Sequence, residues 1–307
     1  MTMRDTPALA ISDRPTAGEL IAAATARLRD ASTPSPRLDA ELLVGHAFGR
    51  DRAWLHAHPE ATLAAADAAL VAQWVERRAA DEPIAYIRGY KEWLSLRIAT
   101  DRRALIPRPE TELLAEAAIS EIRARLGGTE VVQAWEVGTG SGAVALAVAL
   151  RFRAALALGR LALGASDLAA DALELAAENL DANGAGGLVT LACGDLLDPV
   201  ATSGARPDVL IANLPYLTTG EVETGAGSLK WEPRGALDAG PNGLDVLLRL
   251  VAGLSEGVAP GGTALLEVGE GQADAVGAQV TVATPGASVT TLRDLASIER
   301  VVVIRLP

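Results

Sequence analysis

From Val131 to the end of the chain, short apolar runs alternate with helical stretches, and this alternation constrains the fold more than any other feature. The runs Val131 to Val137, Leu161 to Ser166, Leu188 to Ala192, Val209 to Ala212, Thr263 to Val268, Val280 to Ala283 and Val301 to Leu306 read as strands. Helical stretches such as Ala143 to Leu150, Ala169 to Leu180 and Leu244 to Leu254 lie between them. Strands separated by helices pair in parallel, because each crossover returns the chain to the same end of the sheet. The expectation is an α/β fold built on a doubly wound, mostly parallel sheet of seven strands. The last two runs follow one another without a long helix, which predicts an antiparallel hairpin at one edge.

The first quarter of the chain has a different period. Leu20, Ile21, Ala24 and Leu28 recur at helix spacing, as do Leu38, Leu42 and Leu43, and then Leu70, Val71, Trp74 and Val75. Thr16 and Glu19 have the spacing of a capping box, and Ser32-Thr33-Pro34-Ser35-Pro36 separates the first two helices. A helical bundle of four or five elements is expected over residues 1–80, with Trp54 and Trp74 in its core. In residues 81–108 the period falls to two, in Ile84-Ala85-Tyr86-Ile87 and in Trp93-Leu94-Ser95-Leu96-Arg97-Ile98, with Gly89 between. That pattern predicts a β-hairpin. The stiff segment Leu105-Ile106-Pro107-Arg108-Pro109-Glu110-Thr111-Glu112 follows it. Pro109 suits the first turn of a helix, so the sheet domain is taken as 109–307.

Composition removes several function classes. A formal charge of -12 argues against a broad nucleic-acid surface, which would need lysine and arginine to neutralise phosphates. The single Cys193 excludes an intramolecular disulfide, fits a reducing compartment and reads as a small core residue. Met1 to Pro15 carries charges and prolines where a secretory signal would carry a continuous apolar stretch. Even Ala143 to Leu163 is broken by Arg151, Arg153 and Arg160, so no membrane span and a cytoplasmic location are expected. His46, His56 and His58 lie without cysteines or paired carboxylates around them, and no metal site is expected.

Candidate site residues gather at four consecutive strand ends. The first strand runs into Gly138, Thr139, Gly140, Ser141 and Gly142, a loop whose glycines permit tight turning and close approach to a ligand at the carboxyl end of the sheet. Alone, such a loop equally fits a nicotinamide dinucleotide or a plain turn. The second strand ends at Asp167, where an acid can accept both ribose hydroxyls of a nucleoside. The third ends at Asp195 and Leu196, an acceptor for an adenine amino group and a side chain to pack on its ring. The fourth ends in Asn213-Leu214-Pro215-Tyr216. Pro215 forces an extended backbone on Leu214, so the Asn213 side-chain oxygen and the Leu214 carbonyl form two fixed acceptors beside a ring, a clamp for a planar NH2 group. Loop, acid, acid and clamp together predict methyl transfer from S-adenosylmethionine to nitrogen. A dehydrogenase would need a hydride acceptor site and a proton relay, and neither is visible. The nitrogen could equally belong to a flipped nucleic-acid base, which the negative charge disfavours. Glu267, at another strand end, receives no role.

These motifs resemble those of the bacterial release-factor glutamine methyltransferase family. The resemblance spans nearly the whole chain, through Pro36-Arg37-Leu38-Asp39-Ala40-Glu41, Glu82-Pro83-Ile84-Ala85-Tyr86, Ile106-Pro107-Arg108-Pro109-Glu110-Thr111-Glu112, the glycine loop, the clamp, and Glu232-Pro233-Arg234 to Asp245. It implies that Gly138 to Gly142, Asp167, Leu196 and Asn213 touch S-adenosylmethionine. It also implies that Asn213 to Tyr216 hold the glutamine of the Gly-Gly-Gln loop of peptide-chain release factors, which the helical domain would dock. The family's clamp is usually Asn-Pro-Pro-Tyr; here its second residue is Leu214, a form also seen in ribosomal-RNA adenine dimethyltransferases.

Overall fold

The computed structural model describes residues 14–225 and 227–307; most of the charged, proline-containing N-terminal segment therefore lies outside the described residues. The chain divides after Gly89 into two compact units, each with its own core.

The first unit holds α1 (Ala17–Asp30), α2 (Pro36–Phe48), α3 (Arg52–Ala57), α4 (Ala65–Ala79) and α5 (Ile84–Arg88). The capping box at Thr16 is closed: the Glu19 N–H donates to Thr16 Oγ1 and the Thr16 N–H donates to Glu19 Oε2 at 2.8 Å. It satisfies amide groups that the helix start leaves without partners. Leu20, Ala24 and Leu28 pack with Leu43, Val44, Val71 and Val75, and Trp54 and Trp74 sit half-buried at the margin of this cluster. Residues Ile84 to Ile87 form a helical turn, not the expected strand. A four-residue apolar run does not distinguish a strand from a buried turn of helix. Here Pro83 starts the turn and Gly89, in the left-handed region, stops it.

The second unit begins with the antiparallel hairpin β1 (Tyr90–Trp93) and β2 (Leu96–Ala99), turned by Leu94 and Ser95 at positive φ. The expected second strand, Trp93 to Ile98, is thus itself folded into a hairpin that begins at Tyr90. There follow α6 (Thr111–Arg125), β3 (Val132–Val137), α7 (Ala143–Arg151), α8 (Arg153–Ala157), β4 (Leu161–Asp167), α9 (Ala170–Ala182), β5 (Thr190–Cys193), α10 (Asp198–Ser203), β6 (Val209–Ala212), α11 (Thr219–Glu223), α12 (Asp245–Gly257), β7 (Thr263–Glu267), α13 (Ala273–Ala283), β8 (Ser288–Arg293) and β9 (Glu299–Arg305).

The seven-stranded sheet has the order β5-β4-β3-β6-β7-β9-β8, parallel from β5 to β7, with β9 antiparallel to both neighbours. The expected fold and edge hairpin are both present. One strand differs from expectation: Val280 to Ala283 ends α13, and the edge strand is β8. Ala273, Val276 and Val280 are buried at helix spacing, so their face packs inward as a helix. Cys193 is exposed and not a core residue, because β5 is the opposite edge of the sheet and buries little.

β3 and β6 lie at the centre, covered on both faces, with Leu210 and Ile211 fully buried. Fully burying such a side chain stabilises the fold by about 1.5 to 3 kcal/mol. The winding direction reverses between β3 and β6, and a crevice opens beyond their carboxyl ends, the place where open α/β sheets bind ligands. Among the described residues, no helix is long and apolar enough to cross a membrane.

Candidate active site

A cavity of about 410 Å³ occupies this crevice. Its wall takes residues from the glycine loop, from Asp167, from Asp195 and Leu196, and from Asn213 to Pro215, so the sheet brings the four expected strand ends together. Leu105, Pro107, Leu168 and Val246 supply apolar wall. Volume and lining are in the range of small-molecule sites, apolar with a few placed polar groups.

The glycine loop is held by carboxylates at both ends. Glu136, fully buried in β3, accepts from Thr139 Oγ1 at 2.7 Å and from the Ala145 N–H at 2.9 Å, closing the loop onto the first turn of α7. Burial pushes its pKa up to about 8, against those two hydrogen bonds and with help from nearby Asp167. Asp167 accepts from the Gly140 N–H at 2.8 Å and from the Ala169 N–H at 2.9 Å. A carboxylate has about four acceptor positions, so two bonds to the backbone leave capacity for ligand hydroxyls. Gly138 and Gly142 have φ of 74° and 77°. A Cβ on Gly142 would lie 2.9 Å from that of Ala176, so glycine lets the loop pack on α9. Asn179 donates to the Ser141 carbonyl and also bridges both backbone groups of Ala99, tying the loop to β2.

The proline-rich segment forms a wall through one buried carboxylate. Glu232 accepts from the Ile106 N–H at 3.0 Å and from Arg108 Nη2 at 2.5 Å. Trp93 Nε1 donates to the Arg108 carbonyl at 2.8 Å. The two motifs at Ile106 to Glu112 and Glu232 to Arg234 are thus halves of one structure.

At the clamp, Asn213 Nδ2 donates to Thr111 Oγ1 at 3.1 Å, which leaves Asn213 Oδ1 as its acceptor for a bound group. Leu214 is buried and packs on Gly138, where an added Cβ would approach Leu214 Cδ2 to 2.8 Å. Tyr216 is half-buried. Its backbone carbonyl accepts from Gln272 Nε2 at 2.9 Å, and Gln272 Oε1 accepts from the Gly269 N–H, pinning the clamp to the loop after β7. Burial, and secondarily Glu267, raise the pKa of its phenol, which stays protonated. Asp195 is paired with Arg249 of α12, a partner that sequence spacing did not suggest. Sequence reasoning also missed Thr111, Glu136, Glu267 and Gln272. The signal for Glu136 and Glu267 was a lone acid inside an apolar strand, Trp135-Glu136-Val137 and Leu266-Glu267-Val268.

The described residues contain no group of three or more metal-ligating side chains placed to hold an ion. The donor set suits S-adenosylmethionine better: an acid at the second strand end, a loop in which every second residue is a glycine, and apolar walls. Residues 19–89 match the PrmC N-terminal domain family. The release factor glutamine methyltransferase of Xylella fastidiosa (strain Temecula1) is 38% identical over 94% of this chain and 97% of its own length. That of Moorella thermoacetica is 38% identical over 82% of this chain and 85% of its own. Among solved structures, the hMettl16 catalytic domain in complex with MAT2A 3'UTR hairpin 6 aligns with a TM-score of 0.52 at 13% identity, over 80% of this chain and 84% of that one, a likeness of fold alone. With relatives matched over most of their length at this identity, the chain belongs to the release factor glutamine methyltransferase family of enzymes.

Proposed function

We propose that this enzyme transfers a methyl group from S-adenosylmethionine to the side-chain amide nitrogen of the glutamine in the Gly-Gly-Gln motif of peptide-chain release factors. The observation that carries this is the orientation of Asn213. With its NH2 turned to Thr111, its oxygen is left as an acceptor at the cavity wall, suited to an NH2 group and unsuited to a purely apolar target. When bound, S-adenosylmethionine supplies an electrophilic methyl group on a sulfonium. Gly138 to Gly142 and Asp167 would hold it, with Asp195 and Leu196 at its base.

An amide nitrogen is a poor nucleophile because its lone pair is delocalised into the carbonyl. Asn213 Oδ1 and the Leu214 carbonyl would each accept one amide N–H, favouring pyramidal nitrogen and aiming its lone pair across the cavity. Pro215 keeps the Leu214 carbonyl fixed, and Tyr216 packs against the flat amide and its stem. Alignment of this kind removes up to about 7 to 11 kcal/mol of barrier at the limit. As the new N–C bond would form and the C–S bond break, the nitrogen would become strongly acidic and lose one proton to water, so no strong base is needed from the chain. The helical unit of residues 1–89 would dock the release factor.

The test is transfer of labelled methyl groups, with purified release factors and total RNA offered separately. Label is expected in the release factor and absent after Gly-Gly-Gln is changed to Gly-Gly-Ala. Label in RNA alone would overturn the proposal in favour of a base amino group.

A further inference from the structure

We infer that Thr111 and Glu267 form a positioning relay that sets which way the Asn213 carboxamide faces, and so keeps its oxygen toward the substrate nitrogen. The inference deepens the function proposed above and rests on it. β6 and β7 are parallel neighbours with Ala212 opposite Leu266, so the next residues along, Asn213 and Glu267, stand side by side at the carboxyl edge. Glu267 is 1% exposed, and neither of its oxygens closes a hydrogen bond of ordinary geometry. Thr111, also buried, is the first residue of α6 and packs into the same corner. Two acceptors left open in a dry corner call for an explanation, since buried polar groups are nearly always paired.

The polarity of the three groups supplies one. Thr111 Oγ1 accepts from Asn213 Nδ2. A hydroxyl has a single proton, and having accepted from Asn213 it must donate elsewhere. The Thr111 hydroxyl and the Asn213 carboxamide both act on the Glu267 carboxylate. The order is therefore Asn213 N–H to Thr111 oxygen, and Thr111 O–H toward Glu267. An ionised carboxylate can only accept, so this direction cannot reverse. A protonated Glu267 can donate to Thr111 or to Asn213 Oδ1. The carboxamide is then free to turn its NH2 outward, where it would meet the substrate NH2 donor against donor.

Burial pushes the pKa of Glu267 up to about 7; Glu110, ahead of α6, adds to this, while Thr111, Arg300 on β9 and Asn213 oppose it. Tyr216, a further titratable group that interacts with it, stays a neutral phenol. Ionisation of Glu267 thus falls where a modest change in pH reorients the clamp.

The experiment measures single-turnover methylation of a purified release factor at saturating labelled S-adenosylmethionine, across about pH 6 to 9, with cofactor affinity measured separately by calorimetry. In the wild type the rate is expected to rise with pH and level off. Glu267→Gln and Thr111→Val should each lower the plateau rate by about tenfold to a hundredfold and abolish the step, with cofactor dissociation constants within about twofold. Thr111→Ser, which keeps the hydroxyl, should recover most of the rate. The double variant Glu267→Gln/Thr111→Val should be no slower than the slower single one, since both break the same relay. Folded variants that match the wild-type rate and pH profile, or losses that multiply in the double variant, would overturn the relay. If Glu267→Gln does not fold, the Thr111→Val and Thr111→Ser pair decides alone. A wild type that labels no release factor would overturn the substrate assignment and the relay with it, whereas an active wild type with unaffected variants overturns the relay only.

Discussion

Gly138→Ala offers a direct measure of how tightly the cofactor loop and the clamp are coupled. Gly138 has a φ of 74°, and a residue with a Cβ costs about 1 to 2 kcal/mol in that left-handed conformation. The new Cβ would also lie 2.8 Å from Leu214 Cδ2 and 3.3 Å from the Asn213 carbonyl oxygen. Carbon atoms prefer roughly 3.5 to 4.0 Å, so one of the two must move by several tenths of an ångström. The Asn213 carbonyl belongs to the backbone just beyond β6 and cannot give, and Leu214, 6% exposed, can yield only by shifting toward the cavity it lines. Overpacking of this kind costs about 1 to 3 kcal/mol. The sum is on the order of 2 to 5 kcal/mol.

The two contributions separate in a double-mutant cycle. Leu214→Ala removes the Cδ2 atom that the new Cβ at position 138 would strike. Alone it should cost about 2 to 3 kcal/mol, the low end for a buried leucine, because part of the side chain already faces the cavity. In the double variant the backbone strain at 138 remains and the clash disappears, so its destabilisation should fall short of the sum by about 1 to 3 kcal/mol. Urea unfolding with unchanged m-values reads this. Single-turnover methylation should follow, with Gly138→Ala slowed because Asn213 and Leu214 are displaced, and partly recovered in the double variant. Additivity within about 0.5 kcal/mol would refute the proposed contact between loop and clamp.

Asp167→Ala should weaken S-adenosylmethionine binding by about 1.5 to 3 kcal/mol, since it removes a charged acceptor and also frees the Gly140 N–H; an unchanged dissociation constant in calorimetry removes Asp167 from the site. Glu136, its pKa pushed up to about 8, keeps its proton in the folded state over a range where the unfolded chain has lost it, so its share of stability is present below about pH 4.5 and is lost as pH rises toward 8. Glu136→Gln should flatten that part of the stability curve, by several kcal/mol in order of magnitude, while Glu267 leaves a smaller decline of the same sign up to about 7; parallel urea curves at low and high pH for both proteins would contradict this. Leu214→Pro should be near-neutral for glutamine methylation, because the Leu214 N–H makes no hydrogen bond among the described residues, while stability falls as the buried leucine side chain is cut back; a folded variant slowed by about tenfold or more would place Leu214 in a different substrate pocket. Removing residues 1–89 should raise the Michaelis constant for an intact release factor far more than for a short Gly-Gly-Gln peptide, and equal effects would show that the helical unit docks nothing.

Much of the fold is legible because central parallel strands, buried on both faces, must be continuous apolar runs, and crossover helices must separate them. Val209 to Ala212 and Leu161 to Ser166 are recognisable for that reason. The failures fall where this condition lapses. Ile84 to Ile87 is one turn long, and four consecutive apolar residues are too few to tell a period of 2.0 from one of 3.6. Val280 to Ala283 is the end of a helix whose polar residues, Asp274, Gln279 and Thr281, are sparse, and β-branched composition masks its spacing. For Cys193 residue type alone points inward, and an edge strand does not obey the burial statistics of its neighbours.

The site divides along a similar line. Glycines, strand-end acids and an Asn-X-Pro-Tyr turn declare themselves because each is a local demand of backbone geometry or charge. What stays hidden is the support, since it joins residues far apart in the chain: Thr111 to Asn213, Asn179 to Ala99, Ile106 to Glu232. Yet one sign of that support is written locally. A carboxyl group in the middle of an apolar strand is expensive to bury in its charged form, so it either gathers hydroxyl and amide donors or holds its proton more tightly. Glu136 meets this requirement with Thr139 and Ala145, and by doing so fixes the glycine loop. Glu267 has the same sequence signature at the end of β7 but has not closed its hydrogen bonds. Two acids with one signature thus differ in a way that follows from position: Glu136 braces a loop that must be rigid before any ligand arrives, whereas Glu267 stands behind the residue that must take up its final orientation against the reacting amide.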